Sequence, residues 1–150
     1  MCEISIEQAI SRATADVLEK MFFTGFATES DGIEDAGPRT TVCLVFEGER
    51  RGMLGLSISR DSARTLAADF LGTETEGPDE SQVNEVVREL ANMICGDALS
   101  ALDKCALRLS QPEILPALDF VFPKGASQRA FDLGDGVLTV GLVFQGEAHG

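Results

Sequence analysis

Between Val83 and Leu102 the chain carries a two-sided pattern that fits one local structure, a helix with a dry face and a wet one. At about 100° per residue, Val83, Val87, Leu90, Ile94 and Ala98 cluster on one side, while Glu85, Glu89, Asn92 and Gly96 fall within a narrow arc on the other. Glu89 and Asn92 stand one turn apart and can reach the same small volume above the helix. Gly96 lies in line with them. A glycine inside a helix costs roughly 1 kcal/mol relative to alanine, so its presence asks for a reason, and one reason is that another backbone comes close to this face.

The rest of the chain supplies partners for the dry face. Ser5 to Thr24 reads as an amphipathic helix, with Ile6, Ile10, Ala13, Val17 and Met21 at helical spacing and Gly25 to stop it. Thr28 to Pro38 is acidic and rich in turn formers, which predicts a mobile loop. Arg39 to Glu47 alternates as a strand with Val42, Leu44 and Phe46 on one face, and Gly52 to Ser59 follows as its hairpin partner. Ser59 is placed to cap a helix that runs to Leu71 and ends at Gly72. The long central helix follows Gly77-Pro78-Asp79 and reaches about Lys104. Cys105 to Ser110 reads as a strand broken by Pro112 and Pro116, and Ser127 to Leu133 and Val137 to Gln145 form a final hairpin across Gly134-Asp135-Gly136.

Strands that meet mainly through hairpins imply an α+β fold, a largely antiparallel sheet with helices packed on one face, in one domain spanning residues 1–150. Thr41 to Glu49 and Thr139 to Glu147 agree at seven of nine positions. That repeat raises the expectation of an internal pseudo-two-fold, although strands built from Val, Leu and Phe coincide equally well by chance.

Charge narrows the function. Twenty-five acids against 12 bases give a formal charge of −13, and no Lys/Arg cluster offers a phosphate footprint, so nucleic acid and anionic membranes are excluded as partners. An acidic surface suits a partner that presents a basic residue or a bound cation. No apolar run approaches the ~20 residues of a membrane span, and Met1-Cys2-Glu3-Ile4 lacks the opening of a signal peptide, which predicts a cytoplasmic protein. Cys2, Cys43, Cys95 and Cys105 are widely spaced and the one histidine is His149, so neither structural zinc nor Cys/His catalysis is supported and no metal site is expected.

An acid and an amide one turn apart do not make a nucleophile–base pair, and they are too few hard ligands for a metal. A carboxamide both donates and accepts hydrogen bonds, which suits it to holding a water at a fixed angle, and a carboxylate one turn away can grip a partner's ammonium. Such a pair could complete another protein's reaction centre. Phosphoryl transfer gains most of its acceleration from positioning of this kind.

Glu85-Val86-Val87-Arg88-Glu89-Leu90-Ala91-Asn92-Met93-Ile94-Cys95-Gly96 resembles the active-site helix of the CheC/CheX family of chemotaxis phosphatases, nearer to the CheX type. The similarity extends loosely to the N-terminal helix, the hairpin with Gly48 and Gly52, the stretch Ala67-Ala68-Asp69-Phe70-Leu71-Gly72, and Leu109-Ser110-Gln111-Pro112. The resemblance implies that the protein speeds hydrolysis of the aspartyl phosphate on a CheY-like response regulator. Asn92 would orient the attacking water, Glu89 would pair with the regulator's active-site lysine, and Glu85 and Gly96 would contact the partner. Mg²⁺ would belong to the phosphorylated receiver domain, so the chain itself would need no cofactor. The family prefers Asp or Ser where Glu85 stands, one methylene shorter in the case of Asp. CheC proteins carry a second copy of the motif on their first helix; here Ala15 and Phe22 flank Glu19 in its place, which predicts one active helix per chain and, as in the CheX type, a homodimer. The alternative is a non-catalytic CheX-like or flagellar-switch-like interaction domain, which would have no need of the Asn92 amide.

Overall fold

The computed structural model describes residues 5–22, 28–30, 39–47, 51–72, 79–102, 108–115, 126–133 and 136–145. In chain order these form α1 (Ile6–Phe22), β1 (Thr28–Ser30), β2 (Arg39–Glu47), β3 (Arg51–Ser59), α2 (Arg60–Leu71), α3 (Glu80–Ala101), β4 (Arg108–Leu109), β5 (Glu113–Leu115), β6 (Ser127–Asp132) and β7 (Val137–Gln145). The strands make one antiparallel sheet in the order β1-β6-β7-β3-β2-β4, with β5 also paired to β2.

Alternation along the strands decides which face the helices cover. Val42, Leu44 and Phe46 of β2, Leu54, Leu56 and Ile58 of β3, and Leu138, Val140 and Leu142 of β7 are buried in one cluster with residues of all three helices. These strand residues stand across from one another in register, Leu44 beside Leu54 and Leu54 beside Leu142. They share one side of the pleat, so the helices lie on one face, and the class is α+β. Full burial of each such side chain stabilises by about 1.5–3 kcal/mol before entropy is counted.

Read outward from its centre, the strand order is palindromic: β3 and β7 in the middle, β2 and β6 beside them, short strands at both edges. The helices follow suit, α1 packing on β6 and β7 and α3 on β2 and β3. Both helices open with a reciprocal cap, Ser5 with Gln8 and Asp79 with Gln82. This layout is that of a pseudo-two-fold between β3 and β7, which matches β2 to β6. The nine-residue repeat is something else. Its described residues, 41–47 and 139–145, lie in β2 and β7, parallel to each other on either side of β3, with Thr41 and Thr139 both opposite Ser57 and Phe46 and Phe144 both opposite Gly52. The symmetry matches β2 to β6 and not to β7, so the repeat is not its mark.

Gly52 shows what β3 requires of the strands beside it. The Phe46 and Phe144 rings meet edge to face, with centroids 5.5 Å apart and planes at 74°. A Cβ on Gly52 would strike the Phe46 ring and the Val143 carbonyl.

Three expectations need correction. The stretch Thr28 to Pro38 is not all loop, because Thr28–Ser30 pairs with Asp132, Phe131 and Ala130 of β6 as an edge strand, while 31–38 lie outside the described residues. Ser59 occupies the N-cap position of α2 without capping it. Its hydroxyl instead accepts from the Val137 N–H at 2.8 Å and lies 3.3 Å from the Val137 carbonyl, tying the helix start to β7. The strand expected over Cys105 to Ser110 is Arg108–Leu109 among the described residues, and pairing with β2 resumes at Glu113 beyond Pro112. Between them Ser110 keeps the ladder satisfied: its N–H donates to the Val45 carbonyl (2.8 Å), and its Oγ accepts from the Val45 N–H (2.9 Å).

Candidate functional site

α3 is fixed at its start by sequence. Asp79 Oδ1 accepts from the Gln82 N–H at 2.8 Å and Gln82 Oε1 accepts from the Asp79 N–H at 2.9 Å, which satisfies two donors the helix itself leaves open. Val83, Val86, Val87, Leu90, Ala91, Ile94, Cys95, Ala98 and Leu99 are buried against the sheet and the other helices, so the rotation of α3 is set by its apolar side. That rotation turns Glu85, Glu89 and Gly96 to solvent and leaves Asn92 half-buried. All four predicted site residues share the uncovered side of one helix. Asn92 is less open than its place on the polar arc implies, since the covered part of the helix surface is wider than the apolar residues alone indicate.

Glu85 is engaged by Arg88, 3.6 Å away on the next turn. Among the described residues the side chains of Glu89 and Asn92 have neither a hydrogen-bond nor an ion-pair partner. Among the described residues nothing takes up their hydrogen-bonding capacity. Gly96 is equally unconstrained from within, as a Cβ built there meets nothing within 4 Å. Crowding against a neighbouring helix does not explain this glycine.

A groove of about 390 Å³ runs beside the stripe, lined by Phe70 and Leu71 at the end of α2 and by Ser81, Gln82, Glu85, Val86, Glu89 and Met93 of α3. Sequence reasoning missed it, although Phe70-Leu71 before Gly72 was a signal, an apolar pair where the helix already ends.

The chemistry available here is limited. Cys95 is buried and its thiol is pushed up to about 12, while burial and then Glu113 raise that of Cys43, so neither offers a ready thiolate. Among the described residues no three His, Cys, Asp or Glu cluster to hold a metal ion, and no described helix is long and apolar enough to cross a membrane. On the first helix, Ala15 is half-buried and Glu19 exposed, while the side chain of Phe22 lies outside the described residues. What α3 presents is a carboxylate and a carboxamide, one turn apart, that have no side-chain partner among the described residues.

Comparisons with known proteins converge on one family. No curated protein matches the chain. The CheX protein of Vibrio vulnificus shares the fold with a TM-score of 0.77 at 16% identity, over 97% of this chain and 99% of that one. The CheX protein of Desulfovibrio desulfuricans does so with a TM-score of 0.75 at 18% identity, over 95% and 100%. A structure titled as the CheX–CheY–BeF3–Mg²⁺ complex of Borrelia burgdorferi matches with a TM-score of 0.71 at 18% identity, over 96% and 100%. At such identities these likenesses speak for the fold alone. The family model described as "Chemotaxis phosphatase CheX" matches residues 40–129, from the second strand of the sheet through α3 and into β6, and by that match the chain belongs to the CheX family.

Proposed function

We propose that this protein stimulates hydrolysis of the aspartyl phosphate on a CheY-like receiver domain by lending α3 to the receiver's active site. The observation that carries the proposal is the pair Glu89 and Asn92, without side-chain partners among the described residues, one turn apart on a capped helix, Glu89 exposed and Asn92 half-buried. In the reaction, water attacks phosphorus in line with the bond to the aspartyl oxygen. That bond breaks, the carboxylate leaves with its electron pair, and the water's proton departs with inorganic phosphate. The Asn92 carbonyl oxygen accepts from the water and fixes its approach. The Glu89 carboxylate takes the receiver's lysine ammonium and sets the depth of insertion. Mg²⁺ belongs to the receiver in this reading, which is in keeping with a Borrelia burgdorferi complex that holds the ion together with CheX, CheY and BeF3.

Positioning alone is worth a large factor, because a misplacement of about 1 Å costs on the order of 100-fold. Asn92→Ala should therefore cut stimulated phosphate release about 100-fold with the melting temperature unchanged. The assay incubates the purified chain with each phosphorylated receiver domain of its own genome. Full activity of the variant on every responsive receiver would refute the water-positioning role. Glu89→Lys should weaken receiver binding through charge repulsion, and unchanged affinity would refute the lysine contact.

A homodimer is part of the same proposal. Its support is a row of apolar side chains on the helix-free face, where Val45, Met53 and Val143 stand side by side in register and Val45 is 43% exposed. Sedimentation at micromolar concentration tests it.

A further inference from the structure

The groove beside the stripe has two kinds of wall. Val86 and Met93 of α3 and the last turn of α2 make it apolar, and Leu71 is left 41% exposed at its edge. Leu71 and Met93 thus put apolar side chains at a solvent-facing groove of a protein otherwise rich in charge. Glu85, which Arg88 engages at 3.6 Å, and Glu89 line the same groove, and among the described residues no lysine or arginine lines it. The wall is therefore both greasy and anionic, which selects an apolar side chain with a cation beside it and rejects an acidic or wholly polar surface.

We propose that this groove is the specificity-determining contact of the complex, receiving an apolar side chain that a receiver domain presents next to the lysine taken by Glu89. The inference rests on the phosphatase reading and adds to it the part of the partner that is recognised. Glu89 belongs to both the groove and the stripe, so an ammonium held there places the neighbouring surface of the receiver over Leu71, Val86 and Met93. Glu89 and Asn92 answer to groups common to all phosphorylated receivers. The groove answers to what varies around them, and its contacts persist through binding and reaction alike. Binding that is equal in the ground and transition states acts on KM and leaves kcat alone.

The test uses Leu71→Ser and Leu71→Met in the full chain, because Leu71 sits at the exposed end of α2, where a change of side chain spares the core. With a responsive phosphorylated receiver, Leu71→Ser should raise KM about tenfold, with kcat and the melting temperature unchanged, and Leu71→Met should restore KM. The same tenfold loss should appear in the Kd for receiver domain loaded with Mg²⁺ and beryllofluoride, a measurement that needs no turnover. Unchanged KM and Kd in Leu71→Ser would overturn the proposal. So would a wild-type dimer that Leu71→Ser dissociates without altering either constant, since the groove would then be filled by a second copy. Asn92→Ala, run alongside, separates the two ideas: its loss of kcat upholds the phosphatase reading whatever Leu71 does, and its full activity refutes that reading while the Kd arm still judges the groove.

Discussion

Asp97 of α3 lies against Asp16 of α1, and Lys20 holds Asp16 at 3.1 Å. Two carboxyls so placed attract only when one keeps its proton. Burial, followed by Asp16 itself, raises Asp97 above its ordinary value, while the bonds from Asp97 and Lys20 lower Asp16. Asp97 therefore favours the folded state below the ordinary aspartate value of 3.8, and that contribution is lost as pH rises through its raised value. Asp16 has the opposite sign, contributing above 3.8 and losing that contribution as pH falls through its lowered value. Asp97→Asn supplies the donor at every pH. It should be more stable than the parent at pH 7, with the gain fading towards pH 4, and the gain should be small because exposure screens the pair. Urea unfolding at the two pH values checks this, and an equal difference at both would contradict the shared proton.

Gly96 sits inside a helix with nothing near its missing side chain. Gly96→Ala should stabilise the fold by about 0.5–1 kcal/mol. Gly96→Leu should leave the fold intact and weaken receiver binding, because it fills the space a partner backbone needs. Melting curves paired with affinity measurements decide it: a drop in melting temperature without a drop in affinity would assign the glycine to internal packing.

Gly52 is the reverse case. The Phe46 ring and the Val143 carbonyl occupy the room a methyl would take, and a backbone atom within a paired strand cannot step aside. Gly52→Ala should destabilise by about 1–3 kcal/mol, read as a lower denaturation midpoint at unchanged slope.

Thr14 of α1 is fully buried and its hydroxyl has no partner among the described residues. Thr14→Val keeps the shape and removes the stranded polar atom, so it should raise stability by about 1 kcal/mol. A loss of stability instead would mean that the hydroxyl is bonded in solution.

Much of this architecture was legible in the residues, for reasons that differ from element to element. Arg39–Glu47 and Arg60–Leu71 have the bounds the pattern gives them, because period-two burial and a glycine in the left-handed region, Gly72 at φ 71°, are local signals. Thr28–Ser30 was unreadable, since a short acidic segment becomes a strand only when β6 offers it a ladder. Ser59 looked like a cap and serves β7 instead, a choice made by a residue far along the chain. The four residues of the α3 stripe could be read from helical spacing because one element carries them all. The groove could not, for it exists only where the end of α2 lies against α3. The Asp16–Asp97 contact was hidden likewise, as it joins two helices.

The likeness of β2 and β7, which agree at five of nine aligned strand positions, bears on how the molecule assembles. β3 is offered a similar ladder of side chains on its left and on its right, so composition does only part of the work of telling the two flanks apart. Connectivity does the rest. Only Gly48 to Arg50 join β2 to β3, whereas β7 arrives after everything from Arg60 to Gly136. Loop-closure entropy separates the two pairings by roughly 3 kcal/mol. The first hairpin therefore zips early, and until β7 is in place β3 keeps an unpaired edge. An open central edge is the point at which a sheet connected in this way is exposed to pairing with another chain while it folds.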